Sequence, residues 1–524
     1  MTGYLVLLLD AHLPWVRHRG ESPRPLEEFW LFDVITESYL PLLGMMTGLV
    51  DEGIPFRLTI SLSPTLLAML EDAYLRQAYH EHLHHRLVLA EQELSRTRQY
   101  ESHTYPSAEM YYHRLRWVHD LYVDVFGQNL IGAFDRLRQV GALELITTAA
   151  THAYLPLAAH RPETARAQMR VARGEFRRHF GLEPPGWWLP ECAWNADVDA
   201  ALEGQGYFFL DALGLMGAEP QPQACHYAPI RTPSGWTVLG RDPECHRQVW
   251  SPEGYPSDPL YREFYRDIGW DLPLEYIGPW IHGSGQRMNT GFKYWRITGP
   301  TDHKEPYLPW QGRQRAWEHA GSFLESRQRQ AQWLCEQMGR PPVVVAPYSA
   351  ELLGHRWFEG PFWLEGLLRQ LASQDQIRLE HPSQLPGPFQ VATPAVSSWS
   401  EGGFHQAWLD ESTDWVYRHL HQAAERFLQV RHAQHPRALR QAARELLLAQ
   451  SSDWLSLLHA GSHADYARRR LCEHLGNLAW LCDGLERNQV DEEVLARLEE
   501  RDGLFPELDP EDFQGGLGSG QEEG

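Results

Sequence analysis

No stretch of the sequence is apolar for long enough to cross a membrane. The longest such run near the N-terminus, Tyr4–Leu9, stops at Asp10, whereas a spanning helix needs about 20 residues. That run has no basic leader before it and no small-residue cleavage site after it, so it is expected to be a buried strand rather than a signal peptide. Cysteine is sparse. Cys192, Cys225, Cys245, Cys335, Cys472 and Cys482 form no Cys-x-x-Cys pair and no dense framework, the pattern of reduced thiols in a cytoplasmic protein. Basic residues are outnumbered, 47 Lys and Arg against 69 Asp and Glu, and a net charge of −22 excludes nucleic acid and anionic membranes as partners. No internal repeat is visible. A length of 524 residues suggests two to four domains, and 43% apolar residues is ample for a large core.

Aromatic residues are plentiful, with 21 Trp and 21 Tyr. Three of the tryptophans flank one carboxylate in Gly186–Asn195, Gly-Trp-Trp-Leu-Pro-Glu-Cys-Ala-Trp-Asn. Pro190 fixes its own φ and biases its predecessor towards extended structure, so Glu191 is expected to leave a strand end. Rings offer flat platforms to sugar faces, and partial desolvation tunes an acid. An aromatic core with a glutamate at its solvent edge reads the same way.

Along the chain, Tyr4–Leu9 followed by Asp-Ala-His-Leu-Pro reads as a strand buried on both faces and its exit. Asp10 and His12 project to one side there, where α/β barrels place their sites. Glu27–Leu43 reads as helix, Phe56–Leu62 as strand. From Thr65 to about Gln139 the text is helical and highly charged, with His80, His82, His84 and His85. The spacing of His80 and His84 suits a metal clamp or the wet face of a long helix. Leu143–Thr147 resumes the sheet and delivers His152 at another exit. Pro162–Phe180 and Val198–Gly206 read as helices, Tyr207–Asp211 as strand, Arg313–Met338 as helix and Pro342–Ala346 as strand. Pro382–Ser400 is Pro/Ser-rich and marks a boundary. Beyond it the apolar phase is helical, one stripe being Leu439, Ala442, Ala443, Leu446 and Leu447, another Leu471, Leu475, Leu478, Cys482 and Leu485. The Gly/Glu-rich tail is expected to be disordered.

Several of these segments together resemble glycoside hydrolase family 57, and within it the 1,4-α-glucan branching enzymes. They are Ala-His-Leu-Pro at 11–14, Ala-Thr-His-Ala-Tyr-Leu-Pro at 150–156, Trp-Leu-Pro-Glu-Cys-Ala at 188–193 and Tyr-Arg-Glu-Phe-Tyr-Arg-Asp-Ile-Gly-Trp-Asp-Leu-Pro at 261–273. Phe-Lys-Tyr-Trp-Arg-Ile-Thr at 292–298, Ala-Pro-Tyr-Ser-Ala-Glu-Leu-Leu-Gly-His at 346–355 and Ser-Ser-Asp-Trp at 451–454 complete the set. The resemblance implies an α/β fold: an incomplete (β/α)7 barrel over 1–400, a helical insertion at 70–140, a helical C-terminal domain at 401–510 and a tail at 511–524. It implies a retaining double displacement on an α-1,4-glucan with no cofactor. Glu191 is the nucleophile, and a second carboxyl first protonates the leaving oxygen and then activates the 6-hydroxyl of an acceptor glucan.

The sequence departs from that pattern at the chemistry. The acid/base aspartate of Pro-Tyr-Asp-Ala-Glu is Ser349 here, and a serine hydroxyl is too weak an acid for a departing glucosyl oxygen. His-Ala-His is Asp10-Ala11-His12. Asp-Gly-His or Asp-Ala-His is Asp211-Ala212-Leu213. The loop that normally carries a tyrosine, Leu213–Cys225, has none, and Tyr227 is the nearest candidate. One reading is a branching enzyme of impaired activity, a variant of which moves the acid to Asp10. Another is a glucan-binding protein that kept the cleft and lost turnover. A third takes Asp10, His12 and His152 as a metal triad. Trp30, Trp187, Trp188, Trp270, Trp408 and Trp415 are candidate sugar platforms, His12 and His152 candidate hydroxyl binders. Asp453 is either a cleft-facing carboxylate or a helix N-cap.

Overall fold

The computed structural model describes residues 1–388 and 390–514. Its strands are β1 (Gly3–Ala11), β2 (Leu58–Leu62), β3 (Leu143–Ile146), β4 (Gly186–Trp187), β5 (Tyr207–Leu210), β6 (Ile230–Arg231), β7 (Thr237–Gly240), β8 (Val343–Ser349) and β9 (Ile377–Leu379). β1 is buried along nearly its whole length, as a continuous apolar run demands of a strand covered on both faces. It pairs in parallel with β8 over Tyr4–Asp10, with β9 over Gly3–Leu5 and with β2 over Leu8–Ala11. β3 follows β2, and a single bridge, Thr147 to Trp187, carries the sheet on to β4, β5 and β7. No ladder joins β7 to β8 among the described residues. The Asp242 N–H on the Val345 carbonyl, 2.8 Å, is what spans that seam. The result is the incomplete barrel of seven parallel strands, with β6 as an antiparallel margin on β7 and β9 beside the start of β1. β8 runs through Pro347 to Ser349, beyond the end expected at Ala346. An edge without a ladder tolerates a residue that lacks an N–H.

Helices such as Pro162–Phe180 and Pro309–Met338 pack outside the barrel, each ending on a glycine at positive φ (Gly181, +71°; Gly339, +67°). The inserted hairpin consists of Ala73–Tyr100 and Tyr105–Asp120, while Leu130–Gln139 already belongs to the barrel wall leading into β3. The histidines of the first inserted helix point apart. His82 packs on Phe29 and Phe32, His85 lies by Trp280, His80 faces His119 and His84 is exposed. A strap of turns and short helices between Ser251 and Leu308 lies over this hairpin. Tyr276 and Tyr294 donate to Glu93 at 2.7 and 2.9 Å, and buried Asp267 gathers the N–H groups of Gly269, Thr290 and Gly291.

The C-terminal region is helical: Asp414–Val430, Pro436–Ala449, Ser452–Ala460, Ala464–Glu486 and Glu492–Arg501. Both expected stripes face inward, with Leu475 half-buried. The Pro/Ser-rich segment before it is bound rather than loose, bridging Val391 to Arg231, Thr393 to Glu219 and Ser397 to Trp194. The tail begins in a turn, Pro510–Phe513, whose phenyl ring packs on Phe427; residues 515–524 lie outside those described. No helix is long and apolar enough to cross a membrane among the described residues.

Candidate active site

The strand ends deliver the side chains that matter to one cleft. Glu191 (φ +63°) and Cys192 (+50°) follow β4 in left-handed backbone, as His152 (+54°) follows β3. For residues other than glycine this costs roughly 1–3 kcal/mol each and clusters where function fixes a side chain. The Glu191 Oε2 accepts the Trp399 indole N–H at 2.6 Å, and its main-chain carbonyl accepts the Trp399 N–H at 2.9 Å. The guanidinium of Arg241 lies 5.8 Å from the Trp399 ring and pairs with Asp211 at 2.5 Å. Burial raises the Glu191 carboxyl above the usual carboxylate range, while His152 and the Trp399 bond pull it back.

His152 stands between two carboxylates. Its Nδ1 is 3.8 Å from Glu191 Oε1, and its Nε2 is 3.8 Å from Asp10 Oδ2. Nδ1 also meets the Ser452 hydroxyl at 3.0 Å. Burial opposes a charge on this ring, but Asp10, Glu191 and Asp453 outweigh it and push its pKa up to about 8. His12 stacks on it, centroids 4.0 Å apart and planes within 11°. The His12 nitrogens are both engaged, Nδ1 with Ser63 at 2.9 Å and Nε2 with Asp453 at 2.9 Å. That leaves no His12 nitrogen for the metal triad. Asp453 is not the helix N-cap; Ser451 is, and it also donates to Asp453 at 2.5 Å. Burial works against the Asp453 charge, yet His12 and His152 hold its carboxyl below the ordinary value.

Ser349 ends β8 beside this group. Its hydroxyl donates to Glu351 Oε2 at 2.6 Å, and Tyr39 donates to the other Glu351 oxygen. Tyr39 ends a π-helical turn, Ile35–Tyr39, of the kind that recurs at functional sites. Burial raises the Glu351 carboxyl. Asp10 Oδ1 and His152 Nε2, like the hydroxyl of Ser61 beside Asp10 on β2, are buried with no hydrogen-bond partner among the described residues.

The aromatic expectations divide. Trp187 and Trp188 are 2% and 0% exposed, so neither offers a face to a sugar; a strand covered on both sides buries both side chains. Trp188 instead backs Trp399, edge to face at 5.1 Å. Trp408 is 5% exposed and stacked on Tyr154. Trp30 is half-buried against His463 and Tyr466, Trp415 is half-buried, and Trp270 is 54% exposed on the strap. Tyr227 does not replace the missing loop tyrosine. Its hydroxyl goes to Asp242 and Gln330, and its carbonyl receives the Val343 N–H at the start of β8, the end of the barrel opposite the cleft. Ser452 lies within Ser-Ser-Asp-Trp, but Trp399, Ser63 and Tyr39 carry no local signal as site residues. Long-range pairing alone brings them in.

The sequence pattern of glycosyl hydrolase family 57 matches residues 6–311, and that of the 1,4-α-glucan branching enzyme C-terminal domain matches 413–513. The chain is 32% identical to the 1,4-α-glucan branching enzyme TK1436 of Thermococcus kodakarensis, over 96% of this chain and 78% of that one. Its fold superposes on the α-amylase AmyC of Thermotoga maritima with a TM-score of 0.91 at 37% identity, covering 99% of this chain and 100% of that one. For a family 57 branching enzyme from Pyrococcus horikoshii the TM-score is 0.88 at 30% identity, covering 99% and 98%. The chain belongs to glycosyl hydrolase family 57.

Proposed function

We propose that this protein acts on α-1,4-glucans by a retaining double displacement, with Glu191 as nucleophile, and that its turnover is limited at the step that needs an acid. The observation that carries the reading is the Glu191 carboxyl, held in left-handed backbone by the Trp399 indole and set 3.8 Å from His152 at a strand exit. His12, His152 and Asp453 are the groups to bind glucosyl hydroxyls, and Trp270 and Trp30 the rings to meet sugar faces. Ser349 stands where the second carboxyl is expected and spends its proton on Glu351. Losing a general acid costs about 10²–10⁴-fold. The relatives include named branching enzymes and a named α-amylase. Transfer to a 6-hydroxyl is the reaction proposed, with hydrolysis alongside it because no tyrosine sits in Leu213–Cys225 to disfavour water.

Linkage analysis of amylose, before and after incubation, tests this. The wild type is expected to form α-1,6 linkages and some reducing ends slowly, and Ser349→Asp to do so at least about tenfold faster. Retarded migration through amylose-containing gels, with no product from either protein, would replace the enzyme with a glucan-binding protein.

A further inference from the structure

Asp10 and Ser349 are register partners on the neighbouring parallel strands β1 and β8. Partners at one level of a parallel sheet point to the same face, and adjacent strands lie about 4.8 Å apart. A carboxyl absent from the end of β8 and present at the end of β1 has therefore moved sideways by one strand at unchanged height. The surroundings fit a working group better than a packed one. Asp10 Oδ1 is buried without a partner, and so is His152 Nε2, 3.8 Å from Asp10 Oδ2. An unsatisfied buried polar atom costs roughly 1–3 kcal/mol. The opposite ring nitrogen of the same histidine faces Glu191. The Ser349 hydroxyl, by contrast, is committed to Glu351.

We propose that Asp10 is the acid/base of this site, with His152 standing between it and Glu191. The assignment rests on Glu191 being the nucleophile. In the first step the bond from C1 to the leaving O4 breaks as a Glu191 oxygen bonds to C1. The Asp10 carboxyl gives its proton to O4, and the departing chain leaves with a 4-hydroxyl. In the second step the acceptor hydroxyl attacks C1, the ester to Glu191 breaks, and Asp10 takes the hydroxyl proton.

Two substrates separate the roles. Amylose needs a proton on its leaving oxygen, whereas fluoride departs from α-maltosyl fluoride without one. Asp10→Asn is expected to lose at least about 100-fold on amylose while keeping the initial fluoride release, and azide, which needs no base to attack, should restore its turnover of the fluoride. Asp10→Glu should recover part of the amylose activity and guards against a folding defect. Glu191→Gln should lose both substrates. Amylose turnover unchanged in Asp10→Asn would overturn the assignment, as would a loss found in Glu351→Gln in its place. A wild type that releases fluoride but never cleaves amylose would overturn it while leaving Glu191 as nucleophile. A wild type inert to both would overturn the nucleophile and Asp10 together.

Discussion

At the scale of the residue, Glu191 as the proposed nucleophile must be ionised to attack, yet burial drives its carboxyl above the usual range and the Trp399 bond restrains it. Activity should therefore fall as pH drops through a value higher than an ordinary glutamate's. Trp399→Phe removes a donor to the carboxylate, so that limb should move to higher pH and kcat should drop about 10–100-fold, the worth of a charge-assisted hydrogen bond. A pH–rate profile on α-maltosyl fluoride reads this; a limb that stays or moves to lower pH contradicts it. Glu191 was legible in the sequence because its strand exit, proline and flanking indoles are local. Trp399 was not, since it stands 208 positions away in a segment whose composition reads as a boundary. Trp188 shows the reverse error: three positions from Glu191 in sequence, it is sealed in the core behind Trp399.

At the scale of the element, the helix Ser452–Ala460 closes the cleft by pairing Asp453 with His12, 441 positions away. The strand and helix patterns were readable from period and burial alone, but which strand ends meet was not. Asp10 was readable as a replacement acid for Ser349, but that the two stand at one level of neighbouring strands appears only once β1 and β8 are paired. The Asp453 carboxyl titrates below its unfolded value of about 3.9. Its contribution to stability is thus fully present above that value and lost as pH falls through the lower folded one. Asp453→Asn should lower Tm at pH 7, and the gap from wild type should narrow on acidification below about pH 4. Calorimetry across pH measures this; a gap that widens with acid would contradict the pairing.

At the scale of the whole molecule, the barrel and the helical region share structure as well as a cleft. Buried Asp502 accepts the Trp15 indole N–H from beyond β1 at 3.0 Å and pairs with Arg470 at 3.1 Å and Arg501 at 2.7 Å. Asp502→Ala leaves buried Arg470 without this carboxylate and should cost roughly 3–5 kcal/mol, read as a lower urea midpoint. A change within about 0.5 kcal/mol would mean that the contact ties nothing. On the proposed function, this whole arrangement serves Glu191 as a nucleophile with an altered acid. Intact-protein mass spectrometry after mixing with α-maltosyl fluoride tests it most directly. A maltosyl adduct is expected on the wild type, mapped to the peptide carrying Glu191, longer-lived in Asp10→Asn and absent from Glu191→Gln. No adduct on either of the first two proteins, or one mapped to another residue, would contradict it.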